Sequence, residues 1–315
     1  MSFPSVSVII PVYNSKEYVI ACLDSVAHQD YQGETECLLI EDCSSDGTDQ
    51  IVDRYVSEQQ GRVRFRILHH DRNRKQASAR NWGLKEAQGD FVFFLDSDDW
   101  IDRSALSQLI SVWRRHPSSQ VVQAGIMCDD PAMFPWLRVA SWKAPDLAFS
   151  SDRQWIIDTC SGRKDMIPMT PVCKLMSRKF IEDHEMRFVE DIYHEDEPWL
   201  ALMAKHLQAV AFCHQDLYHY RLHQNSTTGG GRKVYFEDRI QSWYEIFKLF
   251  DADFCPLKML RQIDIDSSIC IVKKTRDRQI RRRLIGVKVR LMRYCPWPLK
   301  LRIMAWIIVH SYQLL

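Results

Sequence analysis

Three carboxylates, Asp96, Asp98 and Asp99, close the stretch Phe91-Val-Phe-Phe-Leu-Asp-Ser-Asp-Asp-Trp100 directly after an apolar run. Such a run fits a strand buried on both faces, and acids at its C-terminal end stand where an open α/β sheet takes its ligand. Hard oxygen donors suit Mg²⁺ or Mn²⁺, ions that commonly accompany phosphates. The chemistry indicated is the handling of a phosphate-bearing substrate. Helix capping is the competing explanation, because carboxylates are favoured at helix N-termini. It accounts for Asp102, which stands before an apolar-periodic segment, and for Asp99, but gives no reason for Asp96 and Asp98 beside the strand end.

A second acidic group, in Tyr193-His-Glu-Asp-Glu-Pro-Trp199, sets Glu195 and Asp196 just before a helical segment. By themselves these read as an acidic helix start. Tyr13 follows the first apolar run and Asp42 the second. An aromatic ring can stack on a base, a carboxylate can accept from a base N–H or ribose hydroxyls, and a metal can bridge two phosphates. Further on, Tyr218-His-Tyr-Arg-Leu-His-Gln-Asn-Ser-Thr227 supplies Arg221, able to fork onto phosphate oxygens, and His223, able to bind a metal or a phosphate according to its charge. A solvated strand end would carry the same two residues.

The elements that position these groups alternate between short apolar runs and helical periodicity, which predicts an α/β fold with a mostly parallel sheet and flanking helices. Strands are expected at Val6–Ile10, Cys37–Ile40, Val63–Leu68, Asp90–Leu95 and Val121–Ile126. Helices are expected through Tyr18, Cys22 and Val26, and, opened by Ser44-Ser-Asp-Gly-Thr48, through Ile51, Val52 and Tyr55. Residues 128–171 are rich in Pro, Trp and Ser and read as an insertion or acceptor-facing segment. Beyond them a strand is expected at Val172–Met176, a helix near Glu195–Lys205, and short strands at Ala209–Cys213 and Leu217–Arg221. After residue 231 the chain reads as mainly helical.

Four motifs, Ser7-Val-Ile-Ile-Pro-Val-Tyr-Asn14, Ile40-Glu-Asp-Cys-Ser-Ser-Asp-Gly-Thr48, Ala77-Ser-Ala-Arg-Asn-Trp-Gly83 and Phe94-Leu-Asp-Ser-Asp-Asp-Trp100, resemble in order and spacing those of the family 2 glycosyltransferases with a GT-A fold. The resemblance covers about the first 130 residues and continues more loosely to Thr227. It implies transfer of a sugar from a nucleotide-diphosphate donor, a UDP-hexose or UDP-N-acetylhexosamine, to a glycan or lipid-linked glycan, with inversion at the anomeric carbon. By the same resemblance Pro11, Tyr13 and Asp42 would hold the uracil, Arg80 would face the base or diphosphate, and Asp96 would meet the ribose. Asp98 would ligate Mn²⁺ or Mg²⁺ with Asp99 as helper. Asp196 would be the base, supported or replaced by Glu195, and Arg221 and His223 would line the diphosphate or acceptor. Bacterial surface polysaccharide is the family-level setting. The chain departs from the pattern at Glu41, where relatives usually have Asp, and at Cys43, where they usually have Gly.

This divides the chain into a GT-A domain over 1–230, with a nucleotide-sugar half (1–127) and an acceptor half (128–230), and a basic helical region over 231–315. A net charge of +1 hides that division: from Lys258 onward 14 Lys/Arg meet 3 Asp/Glu, giving +11, while the preceding residues carry 28 against 38, giving −10. The tail therefore seeks an anionic partner. Arg281 to Ile308 mixes basic and apolar residues with Trp297 and Trp306, as a segment lying in an anionic membrane surface does. A basic extension packed on the domain fits equally, and no nucleic-acid partner is expected. Ten cysteines without a CxxC pair, no signal-peptide pattern at the N-terminus and no run near the ~20 apolar residues of a membrane span lead to a cytoplasmic expectation, peripheral on the inner membrane if the tail attaches.

Two other readings use the same residues. A phosphohydrolase would attack with Asp96 and protonate with Asp98, though Asp99-Trp100 follows the pair and several βα elements precede it. A catalytically silent relative would scaffold a glycan assembly complex through its basic tail. A dinucleotide-binding oxidoreductase lacks its GxGxxG after the first strand, and no phosphate-binding P-loop is present.

Overall fold

The computed structural model describes residues 3–128, 149–160, 170–223, 236–251, 254, 260, 263–265, 267 and 278–311. Its first half is built from β1 (Val6–Val12), α1 (Val19–Ala27), β2 (Thr35–Glu41), α2 (Thr48–Glu58), β3 (Arg64–His69), α3 (Lys75–Glu86) and β4 (Phe91–Phe94). The four strands are parallel in the order β3-β2-β1-β4, with β1 and β2 buried along their whole length. Val12 pairs with Glu41, Glu41 with His69 and Ile9 with Phe94. Parallel strands in register end on one edge, so Tyr13, Asp42, His70 and Asp96 share a rim.

Close packing of α3 sets one wall of that rim. At Gly83 an added Cβ would lie 2.3 Å from Ile9 Cγ2 and 3.0 Å from Ile40 Cδ1, so the helix sits on β1 and β2 with no room for a methyl group. Arg80 lies one turn earlier on this helix. Gly83→Ala is expected to destabilise the fold by about 1–3 kcal/mol through overpacking. Chemical denaturation would show this as a lower midpoint with an unchanged slope.

The second half comprises β5 (Trp100–Ile101), α4 (Ala105–Arg115), β6 (Val121–Cys128), β7 (Phe149–Ser150), α5 (Arg153–Cys160), β8 (Lys174–Ser177), α6 (Arg178–Asp183), α7 (Asp196–His206) and β9 (Val210–Tyr220). Here the sheet is mixed rather than mostly parallel, because β8 enters antiparallel between β4 and β6, and β5 and β7 run antiparallel to β9. The two short strands expected at 209–213 and 217–221 are one strand. Its polar middle, His214-Gln-Asp216, is tolerated because the register against β6 shifts there. The segment 128–171 contributes β7 and α5, while its residues 129–148 and 161–169, like Thr227, lie outside the described residues.

Three helices complete the described chain: α8 (Phe236–Leu249), α9 (Arg278–Leu291) and α10 (Trp297–Ser311). Trp243, Ile246 and Phe247 of α8 are buried, and α8 contacts α7. Leu284, Val287 and Leu291 of α9 and Leu299 and Ile303 of α10 continue that core. Lys288 is fully buried and pairs with Asp264, which also accepts from Arg302 at 2.6 Å. One face of the basic region is thus packed on the domain.

Candidate active site

The rim begins with the loops after β1 and β2, which are tied together. Asn14 N donates to Ser44 Oγ at 3.0 Å, and Ser45 N donates to Asn14 Oδ1 at 2.8 Å. Cys43 has φ +61°, the left-handed conformation that glycine adopts without strain. Glu41 holds this turn: its buried carboxylate accepts from Cys43 N at 3.0 Å and Ser44 N at 2.7 Å. The two departures at 41 and 43 therefore act together, the longer acid reaching round to fasten the turn that a non-glycine residue must make.

On this platform Tyr13 is 47% exposed, with its ring at the rim, whereas Pro11 is buried within β1 opposite Ile40. Asp42 is buried, and its Oδ1 accepts from Arg74 N at 2.7 Å and lies 2.6 Å from His70 Nδ1. The His70 ring stacks on Trp82 with centroids 4.8 Å apart. His70 and Trp82 are additions to the residues singled out from sequence. The position of His70 one step past a strand that shares the rim was the available signal.

At the end of β4 the acids take separate duties. Asp96 Oδ1 accepts from Arg80 Nη2 and Gln76 Nε2, each at 2.9 Å. Arg80 is buried and its Nη1 donates to Glu195 Oε1 at 2.9 Å, with the guanidinium 5.3 Å from the Phe188 ring centroid. Burial works against the Arg80 charge, but Asp96 and Glu195 outweigh it and hold the group protonated. The result is a buried bridge, Glu195–Arg80–Asp96, that joins the start of α7 to the end of β4. Arg80, expected to face the base or diphosphate, has both terminal nitrogens committed to protein carboxylates.

Asp99 is turned inward. It accepts from Tyr218 Oη at 2.6 Å and from Arg221 N at 2.8 Å, and burial beside Asp98 and Asp96 pushes its pKa well up. Both oxygens are engaged in anchoring the end of β9, an arrangement of a brace rather than of a metal ligand. Nor does Asp99 or Asp102 cap a helix: α4 starts only at Ala105, and Asp102 Oδ1 lies 3.0 Å from His219 Nε2. What this brace delivers is the pair Arg221 and His223. His223 Nε2 lies 2.8 Å from Asp98 Oδ2, and Arg221 Nε donates to Asp98 O at 3.0 Å. The Arg221 guanidinium lies 5.0 Å from the Tyr18 ring centroid and 4.6 Å from that of Trp100. Burial and Asp96 raise the Asp98 pKa, while His223 opposes them.

Across the site, Asp196 opens α7 with Oδ1 accepting from Glu197 N at 3.0 Å. Burial, then the neighbouring Glu195 and Glu197, push its pKa up to about 8, well above that of an ordinary aspartate. Glu195 is the better-compensated acid because Arg80 meets it directly. The loop leading to these acids is fastened by Lys75, whose Nζ donates to Asp191 O at 2.8 Å and lies 5.3 Å from the Tyr193 ring centroid. Lys75, Asp191 and His194 all have φ between +63° and +66°. Backbone strain of this kind gathers at sites where geometry is imposed by function.

Asp96 Oδ1 is held by Arg80 and Gln76, which leaves its second oxygen to face the rim.

Parallel βα units ending in an acidic rim, faced by an acidic helix start and extended by a helical C-terminal region, are the layout of a GT-A glycosyltransferase. The chain belongs to Glycosyl transferase family 2, whose profile matches residues 7–184. It is 26% identical over 294 residues to EpsH of Bacillus subtilis (strain 168), named as a glycosyltransferase, covering 90% of this chain and 80% of EpsH. Over a shorter stretch of 114 residues it is 37% identical to the poly(ribitol-phosphate) β-N-acetylglucosaminyltransferase TarS of Staphylococcus aureus, covering 36% of this chain and 19% of TarS. The TarS fragment 1–349 with UDP-GlcNAc superposes with a TM-score of 0.72 at 21% identity, covering 93% of this chain and 82% of the fragment. The mannosyltransferase PcManGT of Pyrobaculum calidifontis with GDP-Man and Mn²⁺ gives 0.54 at 16%, covering 99% and 82%. These structural likenesses establish the GT-A fold.

Proposed function

We propose that this protein transfers a hexose or N-acetylhexosamine from a uridine diphosphate donor to a hydroxyl of a glycan or lipid-linked glycan, inverting the anomeric carbon, with 1–230 as the transferase domain and 231–315 as a helical extension. The observation that carries this reading is the coupling of a strand-end acidic rim to Asp196, a carboxylate with its pKa pushed up to about 8, through the buried Glu195–Arg80–Asp96 bridge. The UDP-GlcNAc bound by TarS supports the donor class.

In this reading Tyr13 stacks on the uracil above Pro11. Asp42, its carboxylate aimed by Arg74 N and His70, accepts from the base N–H. Asp96 turns the oxygen not spent on Arg80 toward the ribose. Arg221, held near the rings of Tyr18 and Trp100, offers positive charge to the diphosphate. Asp196 takes the proton of the acceptor hydroxyl as that oxygen bonds to the anomeric carbon. The bond from that carbon to the phosphate oxygen breaks, its electron pair leaving with the diphosphate.

Asp98 and His223 fit a divalent cation. A carboxylate oxygen and a ring nitrogen face each other at 2.8 Å, a mixed donor pair suited to Mn²⁺. Among the described residues no cluster of three His, Cys, Asp or Glu side chains stands ready for a metal, and Asp98 and His223 are the residues that would hold one. When bound, the ion would supply charge that neutralises the departing diphosphate.

Calorimetric titration with UDP, GDP and CMP, with and without Mn²⁺, tests the reading. Manganese-dependent UDP binding is expected, weakened at least about tenfold in Asp98→Ala as one of few cation ligands is removed. Failure of every nucleotide to bind the wild-type protein would sink it.

A further inference from the structure

The outward face of α10 has no role in the reaction. Leu299 and Ile303 are buried and Trp306 is half-buried, while Trp297 (67% exposed), Leu301 and Met304 are exposed. At 100° per residue these two sets lie on opposite sides of the helix, the exposed set recurring at i, i+4 and i+7 as one apolar stripe. A helix that has satisfied its inner face against the domain core gains nothing for the fold by carrying Trp, Leu and Met outward.

What covers this stripe is indicated by charge. The helix lies within a region of 14 Lys/Arg against 3 Asp/Glu. Lys300 stands on the flank of the stripe, and Arg290 and Arg293, at the end of α9 and just beyond it, are exposed. Lys288 and Arg302 are not part of this surplus in the same way, since both pair with Asp264. An exposed Trp with neighbouring aliphatic side chains and unburied cations is the composition that settles at the headgroup level of an anionic bilayer, the ring at the interface and the cations on lipid phosphates. Among the described residues no helix is long and apolar enough to cross a membrane.

We infer that α10 is an interfacial anchor: Trp297, Leu301 and Met304 enter the headgroup region of an anionic membrane, and the basic residues around them hold the protein to its surface. This names the partner of the basic extension and would bring the transferase to a lipid-linked acceptor. It does not depend on the identity of the donor.

Flotation of the full chain with vesicles of phosphatidylcholine alone, and with a third of the lipid as phosphatidylglycerol, tests it. A triple variant, Trp297→Ser, Leu301→Ser and Met304→Ser, is compared with wild type, and thermal melting and UDP binding are measured on the same preparations. Because all three side chains are exposed, the variant is expected to melt and bind UDP like wild type. Wild type is expected to float with the anionic vesicles, to fail with the neutral ones, and to release as salt rises. The variant is expected to bind at least about tenfold more weakly. Equal flotation of variant and wild type, no flotation of wild type, or a wild-type dimer that the triple change converts to monomer would each overturn the inference. Loss of UDP binding in wild type would count instead against the donor assignment.

Discussion

Asp196→Asn is expected to lower the transfer rate by about 10²–10⁴-fold while leaving UDP affinity within about twofold, because the proton acceptor is removed and the donor site is untouched. The wild-type rate with respect to free enzyme should rise with pH through about 8, where Asp196 loses its proton. The same substitution should stabilise the protein. The folded-state pKa of Asp196 is raised, so the folded form keeps a proton that the unfolded chain gives up above about pH 4. Its contribution to stability is therefore greatest in acid and is lost as pH rises toward 8. Asparagine carries no such dependence, so its advantage should grow across that window and level off above it, reaching on the order of a few kcal/mol. Melting curves of both proteins at pH 5, 7 and 9 check this. An inactive variant whose stability advantage over wild type is no larger at pH 9 than at pH 5 would place the raised pKa on another group.

Arg80→Ala is expected to have the larger effect on the fold. Deleting the guanidinium leaves Asp96 and Glu195 facing each other's surroundings without their shared cation, and a broken buried pair costs about 3–5 kcal/mol. Arg80 also restrains the Asp196 pKa, since it is one of the influences lowering it, so the variant should shift the ascending limb of the rate profile to higher pH. Urea denaturation measures the first effect. If the protein is too unstable to assay, Arg80→Lys keeps one charge while losing the two-pronged bridge. Lysine at this position should retain part of the stability but weaken UDP binding, since Asp96 would no longer be aimed. An Arg80→Lys protein indistinguishable from wild type in both respects would show that the bridge does not position the rim.

Much of this was legible in the residue order. The strands of the first half announce themselves as Val/Ile/Leu/Phe runs because a strand buried on both faces admits little else, and acids that follow such a run have few reasons to be there. The mixed second half was less legible. β9 reads as two strands because His214, Gln215 and Asp216 interrupt its apolar pattern, and only the register shift against β6 lets one strand continue through them. The helical nature of Lys75–Glu86 is equally hidden in composition, since its hydrophobic pattern is weak and its inward face relies on Ala and Gly for close approach to β1.

The sequence by itself determined which residue types meet at the site: acids after β4, an acid after β2, an aromatic after β1, and a second acidic group at the start of α7. Order and spacing along a parallel sheet suffice for that, because strand ends in register must share an edge. The division of labour among those acids was decided by tertiary structure alone. Asp96, Asp98 and Asp99 differ by only a few positions, yet Asp96 meets Arg80, Asp98 meets His223 and Asp99 is drawn inward by Tyr218 and the Arg221 backbone. Likewise, adjacent Glu195 and Asp196 part company because Arg80, 115 residues upstream, reaches the first and leaves the second with its like-charged neighbours. A side chain's charge state follows from its solvation and from partners distant in sequence, and these exist only once the chain has folded.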